Sequence, residues 1–189
     1  MRKAVFLDRD GTLIQNHHYG CDPESIQLLD GVAEGLGRLR RAGYLLIVVT
    51  NQSGIARGYF DEGQLAVMHR RMGEILHDQG AGVAAFYHCP HHPEGVVPRY
   101  SVECHCRKPQ PGMIMRACSE FGIDPSSSWL IGDILDDIEA GKRAGCRGIL
   151  LDLGTEGKPE IPDREPEYVA KSFLEAVDYL LNHAESADG

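Results

Sequence analysis

Phe6-Leu7-Asp8-Arg9-Asp10-Gly11-Thr12-Leu13-Ile14 is the stretch on which the reading of the fold turns. Apolar residues run into two aspartates one residue apart, and Gly-Thr and more apolar residues follow. Residues 3–8 read as a buried strand that ends at its carboxylates. In extended chain, residues i and i+2 share a side, so Asp8 and Asp10 should point together and Arg9 away from them. Packing alone gives a hydrophobic strand no use for two such residues, so the pair reads as the floor of a pocket.

Outward from this stretch the pattern repeats. Residues 44–50 are almost continuously apolar and β-branched, as in a strand covered on both faces. Residues 83–88, 128–132 and 148–151 read as further strands. Between them lie helical periodicities. Asp30 is the expected N-cap of a helix to Arg41, and Asp61 of one over about 62–78. Pro111 should open a helix to Phe121 from its first position. Residues 135–144 form another, and the Ser172-x-x-Glu175 capping box starts a last one to about Asn182. The tail beyond is expected to be loose. Residues 13–29, 89–110 and 152–167 read as loops. This alternation predicts an α/β fold: a three-layer, Rossmann-like parallel sheet with helices on both faces, forming a single domain over 1–189. In such sheets ligands collect at the carboxyl ends of the strands, beside the switch point. Asp8 and Asp10, Thr50 and Asn51, and Asp133 all fall at such ends.

The bulk properties narrow the function. A net charge of −9 argues against a nucleic-acid partner and leaves any phosphorylated substrate to local cations. The interior apolar run near Leu45–Val49 is too short to span a bilayer, and Asp8 cuts off any signal-peptide core. A cytoplasmic location is expected. The six cysteines then read as thiols or metal ligands rather than disulfides. No Gly-x-x-x-x-Gly-Lys-Ser/Thr loop is present, which disfavours a nucleotide triphosphatase of that type.

Two groups of residues carry chemistry. Asp133 and Asp137 lie one helical turn apart after Gly132. If their strand neighbours the first, they converge with Asp8 and Asp10, and such a set of hard oxygen ligands suits Mg²⁺. Cys89-Pro90-His91, twelve residues, then Cys104-His105-Cys106 offers three thiolates and an imidazole for tetrahedral, structural Zn²⁺, with His92 and His105 as competing ligands. This insertion, about 89–106, leads straight into Arg107 and Lys108.

Asp8-Arg9-Asp10-Gly11-Thr12, Thr50-Asn51, Lys108 and Gly132-Asp133-x-x-x-Asp137 together resemble the four ordered motifs of the haloacid-dehalogenase-like phosphatases, over about residues 3 to 151. The resemblance implies Asp8 as nucleophile, forming an aspartyl-phosphate, and Asp10 as general acid and then base. It implies Mg²⁺ on Asp8, Asp133 and the main-chain carbonyl of Asp10, with Asp137 behind them. Thr50 and backbone near Asn51 would hold the phosphoryl oxygens, and Lys108 would neutralise charge. Residues 50–58, Cys89-Pro90-His91-His92-Pro93 and Cys104-x-Cys106-Arg107-Lys108-Pro109 further resemble the D-glycero-D-manno-heptose 1,7-bisphosphate 7-phosphatase family, whose members make heptose precursors of lipopolysaccharide. That family has no large cap domain, and its pattern selects His91 as the zinc ligand. A sugar bisphosphate substrate follows, with Arg57 and Arg107 as candidate grips on the sugar or its second phosphate, and a monomer without nucleic-acid or membrane partners is expected. Some relatives carry lysine where this chain has Ile134. The alternatives are a histidinol-phosphate phosphatase and a zinc-stabilised binding module without turnover.

Overall fold

The computed structural model describes residues 1–184; the loose tail expected beyond Asn182 lies, from residue 185 on, outside them. Four strands are central: β1 (Ala4–Leu7), β2 (Leu45–Asn51), β4 (Trp129–Gly132) and β5 (Arg147–Leu151). Two flank them: β3 (Ala85–Cys89) and β6 (Tyr168–Ala170). All pair in parallel in the order β3-β2-β1-β4-β5-β6. The chain builds outward from β1 to β3 and then restarts on the other side with β4. The switch point therefore lies between β1 and β4, where Leu7 is in register with both Val48 and Ile131.

Both faces of the sheet are covered, which is why β1 and β2 read as unbroken apolar runs. Val5 and Leu7 pack in one cluster with α1 (Val32–Arg41), α2 (Glu62–Asp78) and α5 (Phe173–Ala184). Ala4 and Phe6 point the other way, into a cluster with Met113, Ile114 and Ala117 of α3 (Gly112–Phe121) and Ala140 of α4 (Leu135–Arg143). Fully burying each such side chain is worth roughly 1.5–3 kcal/mol, so this double-sided core is what holds the strand ends in register. Only α2 and its flanking loops lie between β2 and β3, so among the described residues no cap domain covers the strand ends. Among the described residues no helix is long and apolar enough to cross a membrane.

Several local expectations are corrected. Gly31, not Asp30, caps α1, at φ 78° and with no side-chain bond; a Cβ there would lie 2.6 Å from Leu174 Cγ. Pro111 is the N-cap of α3 rather than its first residue. Ser172 Oγ accepts from Glu175 N–H at 3.2 Å, but Glu175 reaches Lys171 N–H instead of closing the box on Ser172. Strand β6 falls between the loop read over 152–167 and the last helix, where no element was expected, because three residues at a sheet edge carry too little periodicity to be seen. Asp61 behaves as expected, in a full capping box with Gln64.

Candidate active site

The end of β1 delivers Asp8, whose N–H is fixed by Ile131 O at 3.0 Å. Asp133 follows β4 directly, and Asp137 sits in the first turn of α4 with no exposed surface. Oxygens of Asp8, Asp133 and Asp137 all lie within 4.8 Å of one another. Two glycines permit the approach. A Cβ at Gly11, which has φ 85°, would stand 2.3 Å from Asp133 Oδ2, and one at Gly132 would stand 2.3 Å from Asp137 Oδ2. Thr12 Oγ1 donates to Asp133 Oδ1 at 3.2 Å.

Lys108 enters this group from the far side. Its ammonium is buried, donates to Val49 O at 2.9 Å, and lies 2.5 Å from both Asp8 Oδ1 and Asp137 Oδ1. The Asp8 contact is a hydrogen bond. The Asp137 contact is an ion pair at the same distance, with Asp137 itself fully buried. Burial alone would push Lys108 down, but Asp137 and Asp8 outweigh it and hold the ammonium above its usual pKa. Burial raises Asp8, with Lys108 opposing and Asp137 adding. Burial, then Asp8 and Asp137, raises Asp133 to about 7. Three buried carboxylates against one ammonium leave negative charge uncompensated, and the donors are all hard oxygens. The set therefore fits a divalent cation such as Mg²⁺.

Asp10 stands apart from the three converging carboxylates. Its side chain is gripped by Arg9, whose Nε and Nη2 donate to both of its oxygens at 2.9–3.2 Å. The expectation that Arg9 points away is corrected: it is 1% exposed and turned onto its neighbour. Strand β1 ends at Leu7, so the extended-chain rule lapses before Arg9. Burial raises the Asp10 pKa, with Arg9 opposing. Of Asp10, the main-chain oxygen accepts no hydrogen bond among the described residues and is free for a cation.

Thr50 is buried at the end of β2 and accepts from Gln52 Nε2 at 2.8 Å; the same amide donates to Asp10 Oδ2 at 2.9 Å. Asn51 uses both ends of its side chain on the Lys108 backbone, at 3.0 and 3.1 Å. Arg57 and Arg107 are not drawn into the carboxylate group. Arg57 Nη2 lies 3.2 Å from His92 Nε2, and Arg107 Nη1 donates to His91 O at 3.4 Å. A cleft of about 180 Å³ lies over Asp10, walled by residues 16–20 and 51–54. His17 and His18, in the loop read over 13–29, are exposed and also line it. A larger cavity of about 660 Å³ follows the outer edge of β3 past Glu62, His88 and Arg116, and none of the clustered carboxylates lines it. Chemistry, not volume, marks the site.

The second cluster brings together Cys89, His91, Cys104 and Cys106. Sulfur–sulfur separations are 3.0, 3.4 and 3.5 Å, and His91 Nδ1 lies 3.4 and 3.6 Å from Cys106 and Cys89. A tetrahedron with Zn–S of about 2.3 Å has edges of about 3.8 Å, so an ion would be seated by opening the sulfur pairs by about 0.3–0.8 Å. The hydrogen bond shared with Cys89, against a smaller burial penalty, pushes Cys106 down to about 5, and Cys89 is pushed up in turn. These residues fit Zn²⁺. His92 is engaged with Arg57, and His105 lies outside the cluster.

Four contributors escaped the sequence reading: Thr12, Gln52, Arg9 as a buried partner, and His69, whose Nε2 meets Arg9 Nη1 at 3.3 Å. Gln52 has no periodic signature. The only signal for His69 was a histidine at helical spacing between Leu65 and Met72 on the buried face of α2.

The HAD-hydrolase-like family matches residues 105–176. A D-glycero-beta-D-manno-heptose-1,7-bisphosphate 7-phosphatase of Pasteurella multocida is 44% identical over 93% of this chain and 95% of its own. One of Photorhabdus laumondii is 47% identical over 92% and 90%. The solved D,D-heptose 1,7-bisphosphate phosphatase of B. bronchiseptica, complexed with magnesium and phosphate, superposes with a TM-score of 0.80 at 31% identity, over 96% of this chain and 99% of its own. With likeness of this order along nearly its whole length, the chain belongs to the HAD-like phosphatases, in the D-glycero-D-manno-heptose 1,7-bisphosphate 7-phosphatase family.

Proposed function

We propose that the protein removes the 7-phosphate of D-glycero-D-manno-heptose 1,7-bisphosphate through an aspartyl-phosphate intermediate, supplying heptose precursors for lipopolysaccharide. The observation that carries this reading is the meeting of Asp8, Asp133, Asp137 and Lys108 at the switch point. In the first half-reaction an Asp8 oxygen attacks phosphorus while Asp10 protonates the departing sugar oxygen. In the second, the Asp10 carboxylate takes a proton from water, which attacks the aspartyl-phosphate and frees Asp8. Lys108 offsets charge on the transferring group, and the Thr50 hydroxyl and main-chain N–H groups near Asn51 hold its oxygens. Mg²⁺ would be held by Asp8, Asp133 and the Asp10 main-chain oxygen, with Asp137 behind, and would supply neutralisation of the phosphoryl charge.

Zn²⁺ on Cys89, His91, Cys104 and Cys106 would order the loop that ends in Arg107 and Lys108. Without a cap, selectivity falls to residues 13–22, 52–58 and 107–110. Arg57 and Arg107 are the cations offered to the second phosphate, since Ile134 offers none. The whole chain would act as one domain and as a monomer, in the cytoplasm, where reduced thiols persist. Phosphate release from a panel containing the heptose bisphosphate, monophosphorylated sugars and histidinol phosphate, with added Mg²⁺, tests the reading. The heptose bisphosphate should be turned over most efficiently. Preference for histidinol phosphate would replace the substrate, and no turnover of any compound would leave a binding module.

A further inference from the structure

Behind Asp10 lies a file of side chains to which the reaction above assigns no role. Arg9 spends Nε and Nη2 on Asp10 and presents Nη1 to His69 Nε2 at 3.3 Å. A guanidinium only donates, so Nε2 must be the acceptor and the ring proton must sit on Nδ1. An imidazolium here would set two cations against each other. Burial, then the charges of Arg9 and His88, push His69 down to about 3, in keeping with a neutral ring. The ring is held in place by stacking on Phe86 of β3, with centroids 4.8 Å apart and planes 19° apart. On the opposite side of Asp10, Gln52 donates to Oδ2 at 2.9 Å. The carboxylate is thus set between Gln52 and a guanidinium whose own tilt is set by His69.

We propose that His69 is a positioning residue for the acid–base step: by accepting from Arg9 it fixes the direction in which Asp10 presents its carboxyl to the cleft. The inference rests on the reading of Asp10 as acid and base. His69 does not line the cleft and makes no hydrogen bond to Asp10; it reaches both only through Arg9, which lines the cleft. Without the acceptor, Nη1 is left buried and unpaired, and the guanidinium turns to find another partner and takes the Asp10 carboxylate with it.

The test is a double-mutant cycle on the heptose bisphosphate with Mg²⁺. His69→Leu removes the acceptor at similar volume and should lower kcat about tenfold to a hundredfold, the scale of a small misplacement of a reacting group, with KM unchanged. His69→Gln places an amide oxygen within reach of Arg9 and should recover most of that loss. In an Asp10→Asn background, His69→Leu should cost nothing further. Equal losses in both backgrounds, or equal losses for Leu and Gln, overturn the proposal. So does wild-type turnover that His69→Leu leaves untouched, whereas a wild type inert toward every phosphate overturns the underlying reading as well. If the Leu variant does not fold, ¹⁵N shifts of His69 in the intact protein decide: protonated Nδ1 with bare Nε2 supports the contact, and the reverse tautomer ends it.

Discussion

The carboxylate cluster and the thiol cluster are assembled by different forces. Asp8 lies far from Asp133 and Asp137 in the sequence, and each is fixed at the end of a buried strand or in the first turn of a helix packed on the sheet. The backbone bond from Asp8 N–H to Ile131 O ties β1 to β4 at the point where the carboxylates emerge. The sheet brings them together, and the Lys108 ammonium between Asp8 and Asp137 offsets part of their mutual repulsion. The thiol cluster comes from one segment of eighteen residues whose only regular structure is the end of β3 and one 3₁₀ turn at Pro98–Tyr100. Such a segment buries little, so its order would depend on its metal. A site imposed by the fold should survive loss of its ion with its shape intact, and a site imposed by an ion should not.

Asp8→Asn gives the largest expected effect. It keeps the side-chain volume and leaves Lys108 its Asp137 partner, but removes the nucleophile. Turnover should fall roughly 10⁴-fold or more, the scale seen when a nucleophile is lost, while thermal melting stays near wild type. A melting point that collapses along with activity would mean the fold depends on that carboxylate, and would erase the contrast. Cys104→Ser comes next. It should abolish zinc binding, measured by elemental analysis, and expose residues 90–103 to protease. Activity should fall about tenfold to a hundredfold because Lys108 follows the loop directly, a cost like that of losing a partner that orients a site. Asn51 holds the Lys108 backbone independently of the loop, which limits the damage. Wild-type rates in a zinc-free variant would detach the metal from catalysis.

What the sequence disclosed follows the same division. The central strands were legible because each had to be apolar on both faces, and because Asp61 and Gly132 punctuate a helix and a strand by local chemistry. The convergence of Asp8 and Asp133 followed once the strands alternated with helices. Side-chain directions past the end of β1 were not legible. The parity that relates Asp8 to Asp10 holds only in extended chain, and the backbone turns at Gly11. Arg9 is drawn inward by Asp10 and by His69 from a different element, and a sequence does not display such partners. The cap at Gly31 was invisible for a related reason: Leu174, from α5, fills the space a side chain would need.

The smallest expected effect tests the claim that the fold holds the carboxylates together against repulsion. In the folded, cation-free protein Asp133 titrates near 7, against an ordinary value of 3.8. Between those values the folded protein holds a proton that the unfolded chain has released, so stability falls as pH rises. This contribution is complete below about pH 4 and lost as pH approaches 7. Asp133→Asn removes the titration while keeping an acceptor for Thr12, and it relieves repulsion from Asp8 and Asp137. In the presence of a chelator the variant should melt higher than wild type at pH 7.5, and the gap should shrink toward pH 5. Millimolar Mg²⁺ should then raise the wild-type melting point and not the variant's, because only the wild type keeps the full ligand set. An Asn variant that is less stable at pH 7.5 without metal would show that the ionised cluster favours the fold, and that the carboxylates are held by something other than the sheet.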